Sequence, residues 1–330
     1  MHTTKPVLFI ATETATFDLS PWIEEGYDTH LLTQATSRDI ENAVDDLESS
    51  DKYAIIAFGA AATAALQFAS HPSRQLQAVA AYYPTTLPRM QFHPDVRILL
   101  HLPASAPFSA PTSGALKIRL YDSEPGFAIP ASPTYDRLAA SLAFSRTLKL
   151  LRETIGPYDV DLESIWDEHL LYEFSDRDPE KTLQTMVPNP YVNHVPTLTG
   201  GVGYDNLYRF YKDYFIPNNP PNMRMTLVSR TVGSDRIVDE MVVTFTHTCV
   251  IHWMLPGVAP TNKDVEIALV SVVCIRGGKL YHEHIYWDQA SVLVQIGLLD
   301  RDLLPVAGAE STRKVLDERS VSSNQLIKDW

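Results

Sequence analysis

Lys263-Asp264-Val265-Glu266-Ile267-Ala268-Leu269-Val270-Ser271-Val272-Val273-Cys274-Ile275-Arg276, then Gly277-Gly278, then Lys279-Leu280-Tyr281-His282-Glu283-His284-Ile285-Tyr286-Trp287-Asp288 reads as two long strands joined by a two-residue turn. β-Branched and aromatic residues fill both arms, and the two glycines supply the positive φ angles a tight hairpin needs. Such a turn sets a register. With Arg276 opposite Lys279, Val273 faces His282, Ser271 faces His284, Leu269 faces Tyr286 and Ile267 faces Asp288. That arithmetic puts His282, His284, Tyr286 and Asp288 on one face, and Tyr281, Glu283, Ile285 and Trp287 on the other. Both faces are apolar enough to be covered: one is expected to meet the helices and enclose a pocket, the other to meet a second sheet or a second subunit.

Outward from the hairpin, residues 223–232 and 236–247 read as two further strands, preceded by helices. Residues 160–173 are helical in pattern, and Asp178-Pro179-Glu180 has an N-cap followed by proline at the first helical position. Leu207, Phe210, Tyr211, Tyr214 and Phe215 fall at helical spacing. Helices first and antiparallel strands afterwards make an α+β unit. The first half alternates instead. Strands at 6–11, 53–58, 78–83, 96–102 and 115–121 are separated by helices at 37–50 and 60–69, the pattern of a parallel sheet with crossovers. A last helix at 134–154 sets Leu138, Leu142, Leu148 and Leu151 near one stripe, and Gly156-Pro157 ends it. Two domains are expected, 1–156 and 157–330.

Composition bounds the function. Across 330 residues, 45% are hydrophobic and 20% charged, which excludes whole-chain disorder. The net charge of −13 works against nucleic acid and anionic lipid surfaces as partners, and no basic patch offsets it. Cys249 and Cys274 have no metal or redox spacing, so a reducing compartment is expected. The apolar stretch 7–11 is too short for a signal-peptide core, and 53–69 too interrupted for a membrane span. The reading is a soluble, cytoplasmic protein whose partners are a small molecule and a second copy of itself.

The strand at 53–58 runs into Gly59-Ala60-Ala61-Ala62-Thr63 and a helix, the shape of a nucleophile elbow. With Ala80-Ala81-Tyr82-Tyr83-Pro84, the strand 96–102 and Gly126-Phe127-Ala128-Ile129-Pro130, residues 50–155 resemble a truncated dienelactone hydrolase domain of the α/β-hydrolase kind. That resemblance implies a Cys or Ser in the elbow, an Asp after a later strand, and a His before the Gly-Phe pair. The matching positions here hold Ala61, no Asp within 103–114, and Pro125. The resemblance therefore implies a domain that has lost hydrolysis.

The second half carries Trp166-Asp167-Glu168-His169, Val192-Asn193-His194-Val195-Pro196, Gly200-Gly201-Val202-Gly203 and Asp235-Arg236-Ile237-Val238-Asp239-Glu240. Phe245-Thr246-His247, Pro256-Gly257-Val258-Ala259-Pro260-Thr261, the run from His282 to Gln289, and Gln295-Ile296-Gly297-Leu298-Leu299 follow. Over 158–302 these resemble the SnoaL-like polyketide cyclases of the NTF2-like superfamily. The resemblance implies a cone, a curved sheet wrapped on helices around an apolar cavity, with no metal, and the lack of a glycine-rich phosphate loop adds the expectation of no cofactor. It also implies an acid/base Asp at the end of the last strand, which is Asp288 here.

Beside Trp287 and Tyr286 a carboxyl is partly desolvated and its pKa raised, which suits proton transfer. His282 and His284 are either its assistants or ordinary strand histidines, and a His-x-His metal pair is the weaker alternative. Asp239 shares an apolar row with Ile237, Met241, Val243, Phe245 and His247, so it is either an acid/base group or a structural partner of Arg230 or Arg236. His194 is read on a loop at the cavity mouth, with helix capping as the alternative. Tyr208, Tyr211, Phe215, Trp253, Tyr286 and His247 complete the expected substrate-contacting set, the first three as core or wall. The function expected is cofactor-independent cyclisation, isomerisation or dehydration of a small hydrophobic or polyketide-like metabolite. Hydrolysis of an ester, lactone or epoxide in the same pocket, and binding without catalysis, are the alternatives.

Overall fold

The computed structural model describes residues 5–87, 91–106, 115–158 and 160–330. It divides into two compact units, Met1–Val160 and Asp161–Trp330.

In the first unit, β1 (Val7–Thr12), β2 (Asp28–Thr33), β3 (Lys52–Phe58), β4 (Gln75–Tyr82), β5 (Arg97–Pro103) and β6 (Leu116–Tyr121) form one parallel sheet in the order β2-β1-β3-β4-β5-β6. Helices α1 (Ser20–Glu24), α2 (Ser37–Val44), α3 (Gly59–Phe68) and α4 (Arg137–Thr154) accompany it. The central strands are apolar on both faces because both are covered. Ile55, Ala57 and Val79 share a core with Ile40 of α2 and Ala62 of α3, while Ile56 and Phe58 share one with Trp22 of α1 and Leu148 of α4. The sequence reading missed β2, a half-polar edge strand with no apolar run to announce it. It also misplaced the stripe of α4. Leu138 and Leu142 are exposed, and the buried row is Ala139, Ala143, Thr147, Leu148, Leu150 and Leu151. Two alanines, not two leucines, seat the first half of that helix.

The second unit holds α5 (Leu162–Leu170), which widens into a π-helical turn at Leu171–Ser175, then α6 (Pro179–Gln184). Next come β7 (Met186–His194), β8 (Thr199–Val202) and α7 (Tyr204–Arg209), the last widening likewise at Phe210–Phe215. β9 (Arg224–Val232), β10 (Arg236–Thr246), β11 (Asp264–Arg276) and β12 (Lys279–Trp287) follow, then α8 (Gln289–Gln295) and α9 (Ala309–Leu316). The sheet order is β8-β7-β12-β11-β10-β9, antiparallel throughout except where β7 runs parallel to β12. Asp178 caps α6 as its sequence requires, accepting from the Glu180 and Lys181 amides.

The hairpin turn forms as read. Gly277 and Gly278 take φ of +55° and +73°, and Arg276 pairs with Lys279. Beyond that first pair the register departs from the two-residue arithmetic. Ile275 pairs with Leu280, but Cys274 pairs with His282, leaving Tyr281 as an extra residue on β12. This β-bulge turns every later side chain over. Val273 is opposite Glu283, Ser271 opposite Ile285 and Leu269 opposite Trp287, so Glu283, Ile285 and Trp287 are buried. Tyr286 and Asp288 are exposed, and His282 and His284 half-buried. The expectation that the Asp288 face lines the pocket is corrected by that one residue.

Candidate functional site

A pocket lies between the inner face of the second sheet and the two widened helical segments. Alternation delivers its strand walls: Val192 and His194 from β7, Met241 and Val243 from β10, Leu269 and Ser271 from β11, Glu283 and Ile285 from β12. Helix α5 and its π turn contribute Trp166, Leu170, Glu173 and Phe174, and the second π turn contributes Phe215. A π turn inserts a residue into the helical repeat and re-aims the side chains after it, a feature common at functional sites. Trp253, Met223 and Met225 close the remaining side. Free space inside is about 50 Å³, room for one or two waters. Met225 lines this space and is also exposed, which places it at the mouth.

Two carboxylic acids share this apolar enclosure. Glu283 and Glu173 are 6% and 5% exposed. Burial pushes the Glu283 carboxyl up to about 7, against the opposing pull of the Ser271 hydroxyl, which donates to its Oε1 at 2.9 Å; the negative charge of Asp239 pushes it further up. Glu173 is raised well above the carboxylate range by burial, then by the nearby charge of Glu283. Neither glutamate stood among the expected site residues. The sequence signal was present in His282-Glu283-His284, since an acid alternating with Ile285 and Trp287 must be buried once those two are.

His194 is the one expected polar pocket residue that the structure places in the lining. It sits at the end of β7 and not on a mouth loop, with its Nδ1 facing the Thr199 carbonyl at 3.3 Å. Its ring lies within 6.0 Å of those of Phe210, Phe215, Trp253 and Trp287. Burial there drives its pKa down to about 3, so it is neutral. Phe215 and Trp253 stand in the lining, the indole of Trp253 anchored by its N–H donating to Asn219 Oδ1 at 2.8 Å. Tyr211 is buried behind the lining against Glu173, whereas Tyr208 points to Glu180 and lies outside it.

Asp239 is 1% exposed and fully engaged. Arg230 grips it bidentately at 2.7 and 2.8 Å, and the Trp166 indole donates to it at 2.8 Å. The guanidinium also reaches Asp167 and Glu163 of α5, so the cluster ties helix to sheet. Arg236, the other expected partner, pairs with Asp235 instead. Asp239 is therefore a structural ion pair that biases the pocket electrostatically and lies outside its lining. His247 is a joint of the loop that follows β10, holding the Thr261 amide on Nδ1 and Asn262 on its own carbonyl, also outside the lining.

The remaining expected residues stand on the outer face. Asp288 is the N-cap of α8, accepting from the Ala290 amide at 3.0 Å, which explains an Asp at that point without chemistry. His282 and His284 stack on each other at 4.9 Å, with Tyr191 edge-on to His284. No group of three or more His, Cys, Asp or Glu side chains suited to a metal occurs among the described residues. No helix among the described residues is long and apolar enough to cross a membrane.

In the first unit, the residue at the apex of the turn between β3 and α3 is Gly59, with φ +60°, and not Ala61, which is buried two residues further into the helix. A Cβ at Gly59 would meet the Glu13 carboxylate at 2.6 Å. Glu13 thus occupies the space above the apex, beside a cavity of about 470 Å³ lined by Gln34, Thr36, Thr63, Gln67 and Thr85. Pro125 precedes Gly126, a φ +96° turn that seats the buried Phe127. The expected search for an Asp falls partly on 107–114, outside the described residues.

No family model and no curated protein matches the sequence. Among solved structures, the chain is similar to TsrD from Streptomyces laurentii, at 17% identity and a TM-score of 0.34, over 43% of this chain and 100% of that one. It is similar at 17% identity and 0.34 to a protein from Jannaschia sp. CCS1 described as a SnoaL-like polyketide cyclase, over 44% and 100% of the two chains. A protein with a ketosteroid isomerase-like fold from Catenulispora acidiphila, solved with trimethylamine, gives 16% and 0.32 over 41% and 93%. More than half of this chain lies outside each match, so its chemistry has to be read from the pocket's own side chains.

Proposed function

We propose that the second unit is a cofactor-independent acid–base enzyme that isomerises, cyclises or dehydrates a small, uncharged, hydrophobic or polyketide-like metabolite. The observation that carries this is Glu283, a carboxyl held near pH 7 by burial and aimed into an apolar pocket. A group whose pKa lies at the working pH is competent both to take and to return a proton. Ser271 donates to Oε1 and fixes the carboxyl's orientation, leaving Oε2 to approach a carbon acid next to a carbonyl. Glu283 removes that proton, and the same group returns it elsewhere on the substrate or passes it to a leaving hydroxyl.

The described lining contains no Lys or Arg, so the pocket offers an anionic substrate no counter-charge. Tryptophan, phenylalanine and methionine walls suit a flat apolar body instead. Because free space is only about 50 Å³, substrate access displaces side chains, and the flexible, mouth-lining Met223 and Met225 are the ones built to yield. The first unit, in this proposal, keeps the frame of a hydrolase without its nucleophile: the strand-to-helix apex carries no side chain at Gly59, and Glu13 fills the space above it.

The test is solvent-deuterium exchange into a panel of enolisable aromatic and bicyclic ketones, followed by NMR. Exchange by the wild-type chain that falls about 10²–10⁴-fold in Glu283→Gln supports the assignment. Undiminished exchange in that variant refutes it. Incorporation of labelled oxygen from water into the product of an ester or lactone would instead mark hydrolysis at the same pocket.

A further inference from the structure

Behind the pocket wall, two buried polar atoms converge on one carboxyl. His169 Nε2 and the Tyr211 hydroxyl are both buried with no partner at hydrogen-bonding distance, and both face the carboxyl of Glu173. The inventory of protons decides what that carboxyl is. Thr185 Oγ1 has one hydrogen, which goes to the Thr182 carbonyl at 2.6 Å. At 2.6 Å from His169 Nδ1 the same oxygen therefore accepts, and His169 carries its proton on Nδ1. Full burial keeps that imidazole neutral, so Nε2 presents a bare lone pair 4.0 Å from Glu173 Oε2.

An ionised Glu173 would set lone pair against lone pair at that contact. A protonated one satisfies both orphans at once, its O–H donating to Nε2 and its carbonyl oxygen accepting from Tyr211, after a small rotation that brings 4.0 Å to about 3 Å. We infer that Glu173 is a neutral acid whose proton is locked in place by His169 and Tyr211, leaving Glu283 as the single titrating group of the pocket. The groups that face the pair from the other elements agree. Ser271 of β11 donates to Glu283, His194 of β7 is neutral, and the charge of Asp239 on β10 is taken up by Arg230 of β9. No Lys or Arg stands in the described lining of the pocket to hold Glu173 ionised. His169 and Tyr211 are thus positioning residues, acting through Glu173 to spare Glu283 a like charge beside it.

The inference deepens the proposed acid–base reading and rests on it only for its catalytic use, so its test needs no substrate. In the full chain carrying glutamate labelled with ¹³C at the side-chain carboxyl, NMR is followed from pH 4 to 9. One resonance is expected to stay in the protonated range at pH 8 and to vanish in Glu173→Gln, while a second titrates near neutrality and vanishes in Glu283→Gln. His169→Phe keeps the ring against Trp166 but removes the acceptor. Glu173 should then release its proton within the measured range, and the midpoint of Glu283 should rise by about one pH unit or more. Tyr211→Phe removes only a donor to the carbonyl oxygen, so it should leave Glu173 protonated. A purely structural role would move both variants alike. If the wild-type chain shows no glutamate protonated at pH 8, or if His169→Phe folds and leaves both titrations unmoved, the lock does not exist. A confirmed lock in a chain that exchanges no substrate proton would retire the enzymatic reading alone.

Discussion

The two faces of β12 carry the same kinds of residue and do opposite things with them. Outside, Asp288 is exposed and spends its carboxylate on a helix cap, and His282 and His284 stack on each other half-buried. Inside, Glu283 is all but shut off from water, and burial pushes its carboxyl up to about 7. In the proposed reading, competence for proton transfer follows from that difference in desolvation, and not from residue type or from position along the strand. A second contrast lies within the inner face. Asp239 and Glu283 are both buried, yet Asp239 has a guanidinium and an indole for partners while Glu283 has one hydroxyl. The fully partnered acid builds structure. The under-partnered one is available for work.

Substitution should separate these acids by sign. Replacing Glu283 with Gln is expected to remove turnover and yet to stabilise the fold at neutral pH. With its folded pKa at about 7 and an unfolded value of 4.5, the native state keeps a proton that the unfolded chain releases, so stability falls as pH rises between those values. The loss reaches about 3 kcal/mol and stays there above pH 7. Glu283→Gln escapes it, so its denaturation midpoint should exceed that of the wild-type chain at pH 8 and approach it at pH 4. A midpoint below wild type at pH 8 would contradict the desolvated-acid account. Asp239→Asn should act the other way, destabilising by about 1–3 kcal/mol at pH 7, because it takes from the largely buried Arg230 its one buried carboxylate and leaves it only the exposed Asp167 and Glu163. Urea titration of the two variants side by side tests the contrast, and equal signs would break it.

Much of the second sheet was legible because its signals are local. Gly277-Gly278 demanded a tight turn, Asp178-Pro179 demanded a helix start, and the four long strands follow from their β-branched runs. What failed was the step from turn to face. A bulge adds one residue, Tyr281, without any change in composition, and period-two arithmetic converts that single residue into a complete exchange of inside and outside. Glu173 was hidden for a related reason, since a π turn breaks the 3.6-residue count that would place it on an inward face. β7 and β8 were missed because Pro188, Asn189, Pro190 and three glycines across 199–203 read as loop, although pairing with β12 supplies the order that local preference lacks. The first unit was misread at a similar point. A strand-to-helix turn joins β3 to α3, and φ identifies Gly59 as its apex, two residues before Ala61, the position the hydrolase resemblance implied.

Asp288 gives the sharpest test of the outer face, because two substitutions there separate capping from catalysis. Asparagine caps a helix about as well as aspartate, so Asp288→Asn should change neither turnover nor stability measurably, while Asp288→Ala should cost about 1 kcal/mol and again spare turnover. Loss of turnover in the asparagine variant with the fold intact would return the chemistry to the outer face and overturn the assignment of Glu283.

The smallest effect belongs to the histidine pair. His282→Ala and His284→Ala remove half-buried rings that stack on one another and, at His284, on Tyr191. Each should stay within about 0.5–1 kcal/mol of wild type and leave proton exchange unchanged, since neither ring reaches the pocket. Their stacked geometry does make the double variant informative. If one imidazole already loses the aromatic contact, removing the second should cost less than the sum of the two single changes. Strict additivity would mean that the 4.9 Å stack contributes nothing to the outer face.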